Sequence, residues 1–129
     1  LYSIPIARRV GEEGKVYALD KEKGELEKLK GKMRRLKLHN IELLHSDGKF
    51  NLQKESIDII LLFDVLHYIN DKAQLFKMCY KVLKEEGLLS VFPHTHFSCN
   101  EVIKIVTETG LFTLKDEYEG ISLCNFQKR

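Results

Sequence analysis

Three aspartates stand where a carboxylate could bind a ligand: Asp20, Asp47 and Asp64. Asp20 closes the short apolar run Val16-Tyr17-Ala18-Leu19-Asp20, Asp47 lies in Ser46-Asp47-Gly48 just past Ile41-Glu42-Leu43-Leu44, and Asp64 follows Ile57-Asp58-Ile59-Ile60-Leu61-Leu62-Phe63. A carboxylate accepts two hydrogen bonds side by side, which suits the vicinal hydroxyls of a ribose. Asp20 is the sharpest case, and capping of the next helix is its equal alternative. Asp47 can accept from an exocyclic amine while Gly48 lets the backbone close in; the other reading is a plain Asp-Gly turn. Phe63 and Asp64 mark the end of a third run, where the acid either faces a ligand or ties down its own loop. A ribose acid normally trails a glycine-rich phosphate loop by about 20 residues. Counting back that far from Asp20 runs off the start of the chain.

Histidines form the second group. His67 and Tyr68 come just after Asp64 and could act as acid, base or substrate contact, since histidine titrates near neutral pH. A loop histidine with its bonds satisfied is the alternative. Pro93-His94-Thr95-His96 marks a fourth strand end. Alternating histidines on a strand share a face, so His94-Thr95-His96 invites a metal reading; His94 also stands with His67 and Tyr68 as a catalytic candidate, with the catalytic residue itself unknown. A metal site needs a third ligand, and no His/Asp/Glu spacing supplies one, so no metal is expected. No nucleophile elbow of the Ser/His/Asp or Cys/His kind is present. Cys79, Cys99 and Cys124 are odd in number and form no C-x-x-C pair. They indicate neither a disulfide framework nor zinc, and a reducing, cytoplasmic setting is the default.

The elements that must position these residues alternate. Residues 3–11 read as a helix with Ser3 as N-cap, Pro5 in the first turn and Gly11 at its end. A strand over 15–19 follows, then a helix over 23–38 whose Leu26, Leu29, Met33 and Leu36 form one apolar stripe. A second strand covers 40–45. The nearly continuous apolar run 57–63 reads as a strand covered on both faces. Asp71-Lys72-Ala73-Gln74 predicts a capping box, and the helix it opens ends at Gly87. A strand over 88–92 comes next. Ser98-Cys99-Asn100-Glu101 is a second capping box, for a helix stopping at Gly110. Strands 112–118 and 121–126 are joined through Glu119-Gly120, a link so short that the pair must be antiparallel. The pattern predicts one α/β domain over 1–129: a doubly wound, mostly parallel sheet, helices on both faces, and one antiparallel edge strand from the C-terminal hairpin.

Composition excludes several classes. The chain has 129 residues, 43% hydrophobic and 31% charged, with 21 basic against 19 acidic residues, net +2. No basic stripe argues for nucleic acid. Lys28, Lys30, Lys32, Arg34, Arg35 and Lys37 alternate with apolar residues at helical spacing and read as a solvated helix face. No apolar run approaches the roughly 18 residues of a membrane span.

The runs Gly14-Lys15-Val16-Tyr17-Ala18-Leu19-Asp20, His45-Ser46-Asp47-Gly48, 57–69 and Val82-Leu83-Lys84-Glu85-Glu86-Gly87-Leu88-Leu89, in that order and spacing, resemble the class I S-adenosylmethionine-dependent methyltransferases. The likeness is greatest to their small-molecule branch, similar to the methyltransferases of ubiquinone and menaquinone biosynthesis, and it covers nearly the whole chain. The resemblance implies a Rossmann-like fold with S-adenosyl-L-methionine as cofactor and a small-molecule methyl acceptor. It implies that Asp20 binds the cofactor ribose, that Asp47 beside Gly48 contacts the adenine amine, and that Phe63 and Asp64 line the methionine side. It places His67 in a segment that often faces substrate. The family's first, central strand and glycine-rich loop have no counterpart here, so the expectation is an N-terminally truncated methyltransferase domain. A nicotinamide-dependent oxidoreductase and a non-catalytic Rossmann-like interaction module are the alternatives. A homodimer is left open.

Overall fold

The computed structural model describes residues 3–20, 22–45 and 50–129. The chain forms two compact units, Leu1–Phe50 and Asn51–Arg129.

The first unit is built from α1 (Ser3–Val10), β1 (Val16–Asp20), α2 (Lys23–Leu36) and β2 (Ile41–His45). Ser3 is itself helical rather than the residue ahead of the helix. Gly11, at φ +77°, ends α1 in the left-handed region that a side chain disfavours. The amide of Asn40 donates to the Ala7 and Gly11 carbonyls, both at 2.8 Å, and so pins the end of α1 to the start of β2. β1 and β2 pair in parallel, with Asp20 opposite His45. α2 is shorter than the periodicity predicts, because Lys37 adopts a left-handed conformation at φ 54° and caps the helix through its backbone N–H. The expected stripe buries Leu26 only, and Leu36 is exposed. All six basic residues of 28–37 are exposed, as a solvated face requires.

The second unit holds β3 (Ile57–Phe63), α3 (Lys72–Val82), β4 (Leu83–Phe92), α4 (Cys99–Thr107), β5 (Phe112–Tyr118) and β6 (Leu123–Lys128). Its sheet runs β3-β4-β6-β5. β3 and β4 are parallel, while β6 runs antiparallel to both of its neighbours. The hairpin forms as expected, but the antiparallel strand is interior rather than at the edge. β6 inserts between β4 and β5 because it carries the buried run Cys124, Asn125 and Phe126. β3, in contrast, is an edge strand among the described residues, and its Ile59 is 56% exposed. The expectation of a strand covered on both faces fails at exposed Ile59: an apolar run reports what a strand could bury, not what covers it.

α3 ends at Val82, five residues before Gly87. Leu83 is already extended (φ −76°, ψ 135°) and pairs with Ile57. The pairing then jumps to Ile59 with Leu88, so residues 84–87 form an irregular bulge inside β4. Gly87 belongs to that bulge: an added Cβ would lie 2.6 Å from the Leu83 side chain and 2.9 Å from the Lys84 carbonyl oxygen. Of the two expected capping boxes, Ser98/Glu101 is complete. At Asp71 the side chain accepts from Gln74 N–H at 3.0 Å. The core lies between this sheet and its helices, with Phe76, Phe112 and Phe126 at its centre. No helix among the described residues is long and apolar enough to cross a membrane.

Candidate functional site

Asp20 closes β1 at the carboxyl edge of the first unit's sheet. Its Oδ1 accepts from Glu22 N–H at 2.9 Å, just ahead of α2. One oxygen thus ties the strand-to-helix turn. No described residue bonds the other, which leaves a half-buried carboxylate with one acceptor oxygen in hand. The helix-cap alternative takes a different form: the N-cap position of α2 is Glu22, and Asp20 anchors the turn that leads into it. Asp47 and Gly48 lie outside the described residues.

In the second unit, the carboxyl ends of β3 and β4 bring the remaining candidates together. Asp64 leaves β3 at φ 57°, a left-handed conformation that Asp tolerates better than most residues. Its N–H donates to the Phe92 carbonyl at 2.7 Å, which locks the turn against the end of β4. The chain then enters a short 3-10 turn over Leu66–Tyr68, anchored by the buried Leu66. That turn swings His67 back over Asp64, with Nδ1 at 3.9 Å from Oδ1. From the other strand, Pro93 starts a turn in which the His96 N–H returns to the Pro93 carbonyl at 3.2 Å. His96 Nε2 comes to 3.6 Å from the same Asp64 oxygen. The His67 and His96 rings stack at 3.5 Å with 18° between planes, and Tyr68 lies 4.0 Å from the His67 ring.

Two corrections to the sequence reading follow. The segment 94–96 is a turn, not a strand, because His94 itself takes φ 59°. His94 and His96 therefore do not share a face. The exposed His94 packs edge-on against Phe92 at 5.8 Å. Phe92 in turn meets Phe63 edge-on, also at 5.8 Å. The second correction concerns the missing ligand: Asp64, His67 and His96 place one ligand atom each within 4.8 Å of one another. The third member that spacing did not reveal, His96, is supplied by the turn after the neighbouring strand β4. The rule that ligands bind beyond strand carboxyl ends applied equally to His96 and was the signal available for it.

Cys79 and Cys124 are poor nucleophiles here. Burial pushes the Cys79 thiol up to about 12, and burial followed by the neighbouring Cys99 thiol does the same to Cys124.

Asp20 at the end of β1 and Asp64 just past β3 are thus acids at strand carboxyl ends among the described residues. The family described as a methyltransferase domain matches residues 2–91. The chain belongs to that family, the class I S-adenosylmethionine-dependent methyltransferases. Among curated proteins it is similar to the demethylmenaquinone methyltransferase of Listeria welshimeri, 31% identical over 90 residues, covering 69% of this chain and 38% of that protein. The Geobacillus stearothermophilus enzyme of the same name is 30% identical over 88 residues, covering 67% and 38%. The matched region thus spans well under half the length of these relatives. Among solved structures, a SAM-dependent methyltransferase from Aquifex aeolicus superposes with a TM-score of 0.82 at 23% identity, over 98% of this chain and 74% of that one. That likeness shows the fold.

Proposed function

We propose that this chain serves S-adenosylmethionine-dependent methyl transfer to a small-molecule acceptor, with 1–129 forming one methyltransferase domain. The observation that carries the reading is the family match over residues 2–91, which takes in both the strand ending at Asp20 and the strand ending before Asp64. The residues fit the cofactor's chemistry. Asp20 keeps a carboxylate oxygen for the ribose hydroxyls after anchoring its own turn. Asp47, with Gly48 beside it, takes the adenine amine. Phe63 and Asp64 take the methionine side, and His67 and Tyr68 face the acceptor. His94, packed on Phe92, has the weakest claim of the three catalytic candidates.

When bound, S-adenosylmethionine supplies a methyl group on a sulfonium, already activated for displacement by a nucleophile. The protein's own work is then to bind, orient and exclude water, and such positioning accounts for much of the acceleration in transfers of this kind. In this reading His67 holds or accepts a proton. The name of the curated relatives makes demethylmenaquinone the first acceptor to assay. We place the reaction in the cytoplasm; a homodimer remains open.

Isothermal titration with S-adenosylmethionine and, separately, with NAD tests this reading. Saturable binding of S-adenosylmethionine without NAD binding supports it. Binding of NAD alone replaces it with the oxidoreductase reading. Binding of neither leaves a non-catalytic interaction module.

A further inference from the structure

We propose that Asp64, His67 and His96 form a binding site for a divalent transition-metal ion. The proposal stands on the second unit alone and does not depend on methyl transfer.

The first observation is the spacing of the ligand atoms. Asp64 Oδ1 lies 3.9 Å from His67 Nδ1 and 3.6 Å from His96 Nε2. These separations exceed the roughly 2.7–3.2 Å of a hydrogen bond to oxygen, so the groups do not satisfy one another. They fall close to the edge of a coordination tetrahedron: atoms about 2.1 Å from a common ion stand about 3.4 Å apart.

The second observation is independent of spacing. Asp64 Oδ1 and His67 Nδ1 are both shielded from solvent and hydrogen-bond to nothing among the described residues. A buried polar atom left without a partner costs about 1–3 kcal/mol, and here two lie 3.9 Å apart. A cation answers both at once. An anion does not, because Asp64 would repel it.

The backbone also invests in the arrangement. Asp64 is held at positive φ and tied by its N–H to the end of β4, while the buried Leu66 fixes the turn that aims His67. The ligand set of two imidazoles and one carboxylate suits zinc, iron, cobalt or nickel rather than magnesium or calcium, which prefer all-oxygen shells. Three protein ligands leave open positions for water or another small ligand. Each imidazole lone pair lies in its ring plane, and rings stacked 18° apart cannot both aim at one ion. Loading therefore opens the stack. His96, whose side chain is 43% exposed, is the ring with room to turn; His67, at 19%, stays.

Cobalt(II) titration at neutral pH without S-adenosylmethionine tests the site, read through visible d–d absorption and followed by zinc competition. The expected result is one ion per chain, displaced by zinc. Affinity should fall about 10-fold or more in His96→Ala, His67→Ala and Asp64→Asn, since even outer-shell partners act on that scale. Asn keeps the left-handed backbone at 64, and His96 is exposed, so these two variants report on ligation even where His67→Ala disturbs the fold. His39→Ala, in the other unit, should bind as the parent does. No stoichiometric cobalt binding overturns the proposal, as does binding that His96→Ala and Asp64→Asn leave unchanged. Either result can occur with cofactor binding intact, so the two readings fail separately.

Discussion

Asp20 has one oxygen tied to its own turn and the other proposed for the ligand, and this makes its substitution informative. Oδ1 holds Glu22 N–H and sets the entry to α2; the remaining oxygen is the one proposed for the ribose. Asp20→Asn keeps an acceptor for the turn but loses the charge, whereas Asp20→Ala loses both. In titration with S-adenosylmethionine, Asp20→Ala should cost about 1–3 kcal/mol, the range of a charge-assisted hydrogen bond. Asp20→Asn should fall between that variant and the parent. Parent-like affinity in both would reduce Asp20 to a turn anchor. At Asp64 the same economy appears in another form: its N–H locks the β4 end while its side chain meets two histidines.

Among the elements, β4 is where local signals and structure part most. The Glu85-Glu86-Gly87 stretch reads as the end of a helix, yet α3 stops at Val82 and the strand begins at once. The bulge over 84–87 takes up the mismatch between β3 and β4 and needs a residue without a Cβ at 87. Gly87→Ala should destabilise the second unit by about 1–3 kcal/mol, the usual cost of overpacking. The close Lys84 carbonyl cannot move aside as a side-chain tip could. Urea denaturation followed by circular dichroism measures this, and an unchanged midpoint would mean that the bulge rearranges freely. α4 shows the opposite relation: Ser98 and Glu101 close a full capping box at the predicted place, because capping is settled within four residues.

At the level of the whole molecule, the two units differ in how much they bury. The first has a two-stranded sheet and, among its described residues, buries only Ala7, Leu26 and Ile41 as core side chains. Two strands alone are marginally stable in water. The second packs a four-stranded sheet around Phe76, Phe112 and Phe126. Amides of β1 and β2 should therefore exchange with deuterium well before those of β4 and β6. If S-adenosylmethionine binds through Asp20, ligand at about 100 times its Kd adds about 2.7 kcal/mol to the bound state, and β1 should slow. Equal protection of both units without ligand would contradict this picture.

What the sequence determined by itself was local or periodic: the alternation of helix and strand, the two N-caps, the C-terminal hairpin, and acids at strand ends that identified the family. These follow from interactions within a few residues, or from a repeat that a single chain displays. What only the tertiary structure decided was which strand lies beside which. The apolar run of β3 could not say that it is an edge among the described residues, nor the hairpin that β6 enters the sheet interior. The meeting of Asp64 and His67 with His96 is of the same kind. The first two are three positions apart, but His96 lies on the loop after the next strand. Parallel pairing of β3 with β4, and nothing in the spacing of the letters, brings that loop to Asp64.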